Sequence, residues 1–479
     1  MTERSVPSVV VVVGRDGEAL WEEGFGWADR EKRIPATEHV AYSVASVSKP
    51  LTATAIMTLV ESGRLGLDRP ANDHLGSAKL VSRVAPQAQA SVRQLLSHTA
   101  GLPTHFQFIF EGAGRAIPSK EETISRYGNL VAIPGETADY SNLGFGVLDA
   151  IVEHVSGEPF ADYMRSAVFL PLGMLHSSVG PGPGMEASTA ARYGTNQARL
   201  PDYATNHEGA GGVYASAHDL LRFAMFNLGE RLDERRSDRR AGRQGGRTEA
   251  RKPLLQPGSL EELHRPQARA FENWSYGLGW LVTQKPGGYR IVHHSGGMPG
   301  VAAHLLTIPS ERIALVILVN TQAFDLGELT DRIFGALLPR WPAGYLDQQE
   351  DSPVALPAGF ARNWQGSVHT YERSLPLTLE VLASGEIAMQ LEEQPRTLLD
   401  KARYTADGLL RGESLGDLRT ADVNCGGNRY KLMFRMKWRG DRLTGSVTAF
   451  STGSDRDFRS GLGHYVELRP AQPTGTGGP

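Results

Sequence analysis

Ser46-Val47-Ser48-Lys49, running into Pro50-Leu51-Thr52-Ala53-Thr54-Ala55-Ile56-Met57-Thr58-Leu59-Val60, decides how the chain is read. An irregular stretch becomes helix-patterned here, because Leu51, Ala55, Ile56, Leu59 and Val60 fall on the i, i+4, i+8 rows of a buried stripe. Pro50 fits the first turn, where its missing N–H costs little, and Ser62-Gly63 supplies a stop. One helical turn puts Ser46 and Lys49 on one face with Cβ atoms about 5 to 6 Å apart. The Lys49 amine can then reach the Ser46 hydroxyl. The free N–H groups and positive dipole end of a helix start also favour a developing oxyanion. Alone, the spacing is commonplace and is satisfied by a serine N-cap beside a solvated lysine.

Upstream, Ser8 to Val13 and Glu18 to Phe25, joined across Gly14 to Gly17, predict a β-hairpin. Downstream, about 90–230 is mostly helical: Val92 to His98, Glu121 to Leu130, and a face of Leu148, Ile151, Val152 and Val155 ending at Gly157. After 275 the period changes to strands, at Tyr276 to Val282, Tyr289 to His294, Ala302 to Ile308 and Ile313 to Asn320. An amphipathic helix with Leu326, Leu329, Ile333, Phe334 and Leu337 follows. Strands at both ends of this region with helices between them predict an α+β fold: one antiparallel sheet flanked by helices, with an inserted all-helical domain.

Residues 1–340 form this unit. Within it, 231–252 carry nine basic and four acidic residues with almost no apolar ones, and read as a flexible charged insertion. Proline-rich residues 341–357 read as a linker. Short alternating segments over 358–470 predict a C-terminal antiparallel β-barrel or sandwich, and 471–479 read as a disordered tail.

The chain has 479 residues, a formal net charge of −3 and 22% charged residues, so nothing in its global charge points to a nucleic acid or an anionic membrane. No apolar run approaches the roughly 18 residues of a membrane span. The start lacks the basic, long-apolar, small-residue pattern of a secretory signal, so a cytoplasmic protein is expected. The single cysteine, Cys425, leaves no disulfide framework and no multi-cysteine metal site.

A nucleophilic serine needs a base, a proton donor for the leaving atom, and oxyanion donors. Tyr140-Ser141-Asn142 precedes the helical pattern at 145–156, on a stretch able to project polar groups into a cleft. His294-Ser295-Gly296-Gly297 ends a predicted strand, where glycines allow close approach. Singly, Tyr140 reads as a half-buried aromatic, Asn142 as a helix cap and His294 as a surface strand residue; their order along the chain outweighs those readings.

These three motifs, in this order and at these separations, resemble the serine β-lactamase and penicillin-binding protein superfamily, whose class A form is SxxK, SDN and KTG. The Tyr-x-Asn and His-x-Gly versions resemble the class C β-lactamase branch, with its D-alanyl-D-alanine carboxypeptidases, D-aminopeptidases and esterases. Leu95-Leu96-Ser97-His98-Thr99-Ala100-Gly101-Leu102, Gly211-Gly212-Val213-Tyr214-Ala215-Ser216 and Tyr276-Gly277-Leu278-Gly279-Trp280 are similar to recurring segments of that branch. The resemblance covers about residues 6–340 and implies acylation at Ser46, with Lys49 and Tyr140 sharing general-base work and Tyr140 carrying the proton to the leaving group. It implies that Asn142 binds substrate or steadies Lys49, and that His294, with Ser295 and Gly296, orients substrate or supports Tyr140. The backbone N–H groups of Ser46 and Gly297 would form the oxyanion hole. No metal or cofactor is implied, and the partner is a small ester, amide or peptide; self-association is left open, and the C-terminal region is similar to lipocalins in architecture alone. An acylatable penicillin-binding or sensor protein with little turnover is the alternative. Histidine in the third motif, in place of the lysine common in β-lactamases, suits a substrate carboxylate less well. His293 should face the opposite side of its strand and be structural, and His98 is read as a structural turn residue.

Gly412-Glu413-Ser414-Leu415-Gly416 matches the GxSxG elbow, with His464 downstream. The elbow requires a helix directly after it, and Asp417 to Asn428 shows no helical stripe, so these glycines are read as turns.

Overall fold

A computed structural model describes residues 6–112, 114, 116–182, 188–231, 253–271, 274–284, 288–341, 344, 353–422, 430–452 and 458–471. Cys425, residues 232–252, most of the 341–357 linker and 472–479 lie outside them.

The valine-rich start forms β1 (Ser8–Arg15), which turns through Asp16 (φ 55°) and Gly17 (φ 76°) into β2 (Glu18–Asp29). Two left-handed residues make the tight turn whose twist matches that of the strands. Val9 to Val13 are all buried, without alternation, because the sheet is covered on both faces. Val10 and Val12 pack inward with Val316, Leu318 and Leu221, while Val9, Val11 and Val13 join Leu315, Ile317 and Phe334.

Next comes α1 (Ser48–Glu61), whose burial extends well beyond the expected stripe to Ser48, Lys49, Thr52 and Thr54. A helix buried all round is a core helix, and its buried threonine hydroxyls are satisfied, Thr54 Oγ1 donating to Pro50 O at 3.0 Å and Thr52 Oγ1 to Gly209 O at 2.8 Å. It stops as expected at Ser62-Gly63, with Arg64 N donating back to Leu59 O. The middle of the chain supplies β3 (Phe106–Phe110), α2 (Asn142–Ser156) and α3 (Ala217–Asn227). This helical region also carries a small sheet of Ala41–Ser43, Val213–Ser216 and Ser177–Val179.

The late strands are β4 (Arg290–Met298), β5 (Val301–Ile308) and β6 (Ile313–Val319), followed by α4 (Leu326–Leu337). β6 pairs antiparallel with β1, Val12 opposite Val316, so both ends of the region build one nine-stranded sheet. Tyr276 to Val282, expected as one strand, is a hairpin instead: Trp274–Tyr276 pairs with Leu281–Gln284, and Gly279 sits at φ 78°. A Cβ on Gly279 would lie 2.7 Å from Ala53 Cβ and 3.0 Å from Lys49 O, so this turn presses directly on α1.

The C-terminal region is a curled antiparallel sheet, with β7 (Tyr430–Trp438), β8 (Leu443–Thr452) and β9 (Phe458–Pro470) at its centre. A hydrogen bond of 2.9 Å between Thr397 Oγ1 and Ser414 Oγ draws the curl together. β9 also pairs with β3, Gly461 opposite Phe106, stitching the C-terminal sheet to the first part of the chain. Gly412 to Gly416, expected as turns, instead lie wholly within the strand Leu409–Gly416, and none of the described residues after them is helical, so these residues do not form the elbow. Among the described residues no helix is long and apolar enough to cross a membrane.

Candidate active site

Ser46 sits in a 3-10 turn, Ala45–Val47, that leads into α1. Ala45 holds φ 46°, a strained value for a residue with a Cβ, and the turn is pinned by Ser48 Oγ, which donates to Ala45 O and accepts from Val213 N. Lys49 Nζ is 3.0 Å from Ser46 Oγ, 2.8 Å from Asn142 Oδ1 and 2.9 Å from Ala210 O. All three are neutral oxygens. Burial therefore acts alone and holds the Lys49 ammonium well below the usual lysine pKa.

Tyr140 reaches the same serine. Its ring lies 4.7 Å from Lys49 Nζ, and burial raises its pKa, with Ser46 beside the phenol pulling the other way. Ser141, rather than Asn142, caps α2: its Oγ accepts from Gly144 N and donates to Pro103 O. Asn142 is thereby the first helical residue, and its amide faces Lys49.

His294 is buried, not a surface residue. Its Nδ1 donates to Ser295 O at 2.7 Å, so its Nε2 accepts from the Tyr276 hydroxyl at 2.7 Å. Burial, then Lys49, push its pKa down to about 3, leaving a neutral ring with both nitrogens occupied. Its ring centroid is 6.3 Å from that of Tyr140. His293 faces the other way and stacks edge-on against Trp274.

A Cβ on Gly296 would fall 2.3 Å from Val44 O and 3.2 Å from Ser46 N, so only glycine lets β4 pass this close to the serine turn. Gly297 is exposed, and a Cβ there would meet only Gln322 Nε2 at 3.9 Å, so the strand face at this position is open. Beyond Ala45 stands an apolar wall of Met298, Val301 and Tyr203, with Phe108 and Phe110 against it.

Two neighbours of the site, His98 and Tyr276, lie in stretches noted only as auxiliary, and a third, Ala210, directly precedes one. His98, at φ 58°, accepts from Ser141 N through Nδ1 at 3.1 Å and lays its ring 4.4 Å from those of both Tyr140 and Tyr276. It is a turn residue that also holds the Tyr140 segment. Tyr276 occupies the Nε2 of His294, which becomes the acceptor because the Ser295 carbonyl takes the Nδ1 proton. Ala210 presents its carbonyl to Lys49 because the 208–211 helix is anchored by Gly209, whose N–H donates to Asp149 Oδ2 and whose carbonyl accepts from Thr52 Oγ1. Among the described residues no group of three His, Cys, Asp or Glu side chains is arranged to hold a metal ion.

The chain matches the Beta-lactamase family over residues 1–338. It is 27% identical over 337 residues to a protein of Bacillus subtilis strain 168 named as penicillin-binding protein PbpX, a match covering 69% of this chain and 75% of that one. An octameric penicillin-binding protein homologue from Pyrococcus abyssi superposes with a TM-score of 0.59 at 20% identity, covering 98% of this chain and 97% of the other. EstCE1, described as a hydrolase with promiscuous acyltransferase activity, superposes with a TM-score of 0.52 at 22% identity, covering 67% and 90%. With the family match spanning the whole sheet-and-helix region that holds Ser46, Lys49, Tyr140 and His294, the chain belongs to the Beta-lactamase family.

Proposed function

We propose that this protein is a serine hydrolase that forms an acyl-enzyme at Ser46 and transfers the acyl group to water, with an uncharged ester or amide as substrate. The observation that carries the reading is the Ser46–Lys49 contact of 3.0 Å, made by a buried amine surrounded only by neutral acceptors. A neutral Lys49 takes the Ser46 proton as Oγ attacks the acyl carbon. The Ser46 and Gly297 N–H groups receive the oxyanion. Tyr140, protonated because burial raises its pKa, gives its proton to the departing alcohol or amine and is reprotonated from Lys49. Water then attacks the acyl-enzyme by the same proton route in reverse, releasing a carboxylic acid.

Substrate charge follows from the third motif. The neutral His294, with both nitrogens engaged, offers no cation to a substrate carboxylate, which favours esters and amides over β-lactams and peptides ending in a free carboxylate. The apolar wall beyond Ala45 suits an apolar acyl group.

The test is incubation with a p-nitrophenyl ester, nitrocefin and a D-amino acid amide, following product and intact protein mass. Many turnovers on the ester, abolished in Ser46→Ala, support the reading. A second reading, a penicillin-binding protein that acylates and stalls, is favoured by the name of the Bacillus relative and requires a stable stoichiometric adduct. Full activity in Ser46→Ala would overturn both. The octameric state of the Pyrococcus homologue supports self-association here, which light scattering on the purified protein measures.

A further inference from the structure

The segment that delivers Tyr140 is gripped from the C-terminal sheet. Along β7 every second side chain faces the same way. Phe434 and Met436 are buried in the sheet's own core, while Arg435 and Lys437, with Arg439 just beyond the strand, point at residues 136–139. Arg435 Nη1 donates to Asp139 Oδ1 at 2.8 Å and its other terminal nitrogen to Ala138 O at 3.2 Å. Glu136 receives Lys437 at 3.1 Å and both terminal nitrogens of Arg439, one at 3.0 Å. Asp139 is the residue directly before Tyr140, and its backbone N–H donates to His98 O at 2.8 Å. Tyr140 O accepts from Thr104 Oγ1 at 2.9 Å, and Thr104 lies beneath Gly463 of β9, where a Cβ would sit 2.7 Å from Thr104 O. The Tyr140 backbone is thus held from one side by His98 and Thr104, and from the other by a guanidinium 295 positions away in the chain.

We propose that Arg435 is a positioning residue for Tyr140: through Asp139 and Ala138 it sets where the phenol stands relative to Ser46, so that the C-terminal sheet tunes proton delivery to the leaving group. The proposal rests on the acyl-enzyme reading above. Bidentate geometry suits the task, because a planar guanidinium bonded to a carboxylate and a carbonyl on consecutive residues fixes orientation as well as distance. Displacements of about 1 Å are enough to cost on the order of a hundredfold in rate.

The test compares two esters of the same acid on the full-length protein: p-nitrophenyl, whose phenolate leaves without help, and an alkyl ester, whose alkoxide must be protonated. Arg435→Met is expected to lower kcat/KM, which reads acylation and not hydrolysis of the shared acyl-enzyme, on the alkyl ester by about 10- to 100-fold and on the p-nitrophenyl ester by less than about 5-fold. Arg435→Lys should restore the alkyl ester rate to within about 5-fold, because one charged contact survives. Asp139→Asn, which keeps the side-chain shape, should reproduce the leaving-group dependence, and combining it with Arg435→Met should add little. Equal losses on both esters, or wild-type rates on both in Arg435→Met and Asp139→Asn, would overturn the proposal. Ser46→Ala is run alongside. If Ser46→Ala is inactive while the Arg435 variants behave as wild type, this inference fails alone; if Ser46→Ala is active, the acyl-enzyme reading fails first.

Discussion

A buried lysine and a half-buried one flank α2 and have opposite surroundings. Lys49, at the N-terminal end of the helix, touches Ser46, Asn142 and Ala210, all through neutral oxygens. Lys120, midway along the same helix, lies 2.6 Å from Glu153, 3.1 Å from Glu208 and 3.6 Å from Asp149. Burial pulls both pKa values down; at Lys120 the three carboxylates outweigh it and raise the value, whereas at Lys49 nothing opposes it. The positive end of the helix dipole adds to the cost of an ammonium at Lys49. The same residue type is therefore a structural cation midway along the helix and, under the proposed function, a proton acceptor at its start.

The comparison breaks hardest at Lys49. Lys49→Met removes the only base that contacts Ser46 in the described structure besides Tyr140, and kcat/KM for a p-nitrophenyl ester should fall by about a thousandfold or more with the protein still folded by circular dichroism. Lys120→Met leaves three carboxylates facing one another, Asp149 fully buried among them, and should cost about 2 to 4 kcal/mol in denaturant unfolding while leaving kcat per folded molecule within about twofold.

Asn142→Asp converts the surroundings of Lys49 toward those of Lys120. A carboxylate favours the ammonium, so the Lys49 pKa rises and deprotonation moves to higher pH. In the native protein, activity should fall as pH drops through the lowered Lys49 value. In Asn142→Asp that acid limb should shift alkaline, giving about a 10- to 100-fold loss near neutrality that shrinks as pH is raised; a pH–rate profile reads both, and an unshifted limb would show that Lys49 is not the group titrating. The smallest effect is expected at Glu208, which is 42% exposed: Glu208→Gln should change stability by less than about 1 kcal/mol.

Much of the candidate site was legible because its parts are local. Ser46 and Lys49 are linked by one helical turn, and Tyr140 and Asn142 by two residues at the start of α2. The glycines at 296 and 297 mark a close approach wherever they occur. What sequence misjudged was burial and pairing at a distance. Weighed singly, His294 reads as a surface strand residue, a reading its place in the three motifs outweighs, and the 276–282 stretch reads as one strand, because nothing local reveals that Tyr276 returns to hydrogen-bond His294 or that Gly279 turns over α1. Even the expected stripe on α1 understated its burial, since helical period alone does not reveal how many neighbours surround a helix.

The sequence by itself determined the α+β order of elements, the sheet shared by the two ends of the first region, the separate all-β C-terminal stretch, and the serine with its helical lysine. Those depend on periodicity, turn chemistry and short spacings, which act over a few residues. Only the tertiary structure decided that, among the described residues, no carboxylate pairs with Lys49, that His294 is neutral and fully engaged, and that β7 reaches back to the residue before Tyr140. Each of these is set by which groups share a low-dielectric space, and that depends on contacts between segments as many as hundreds of residues apart.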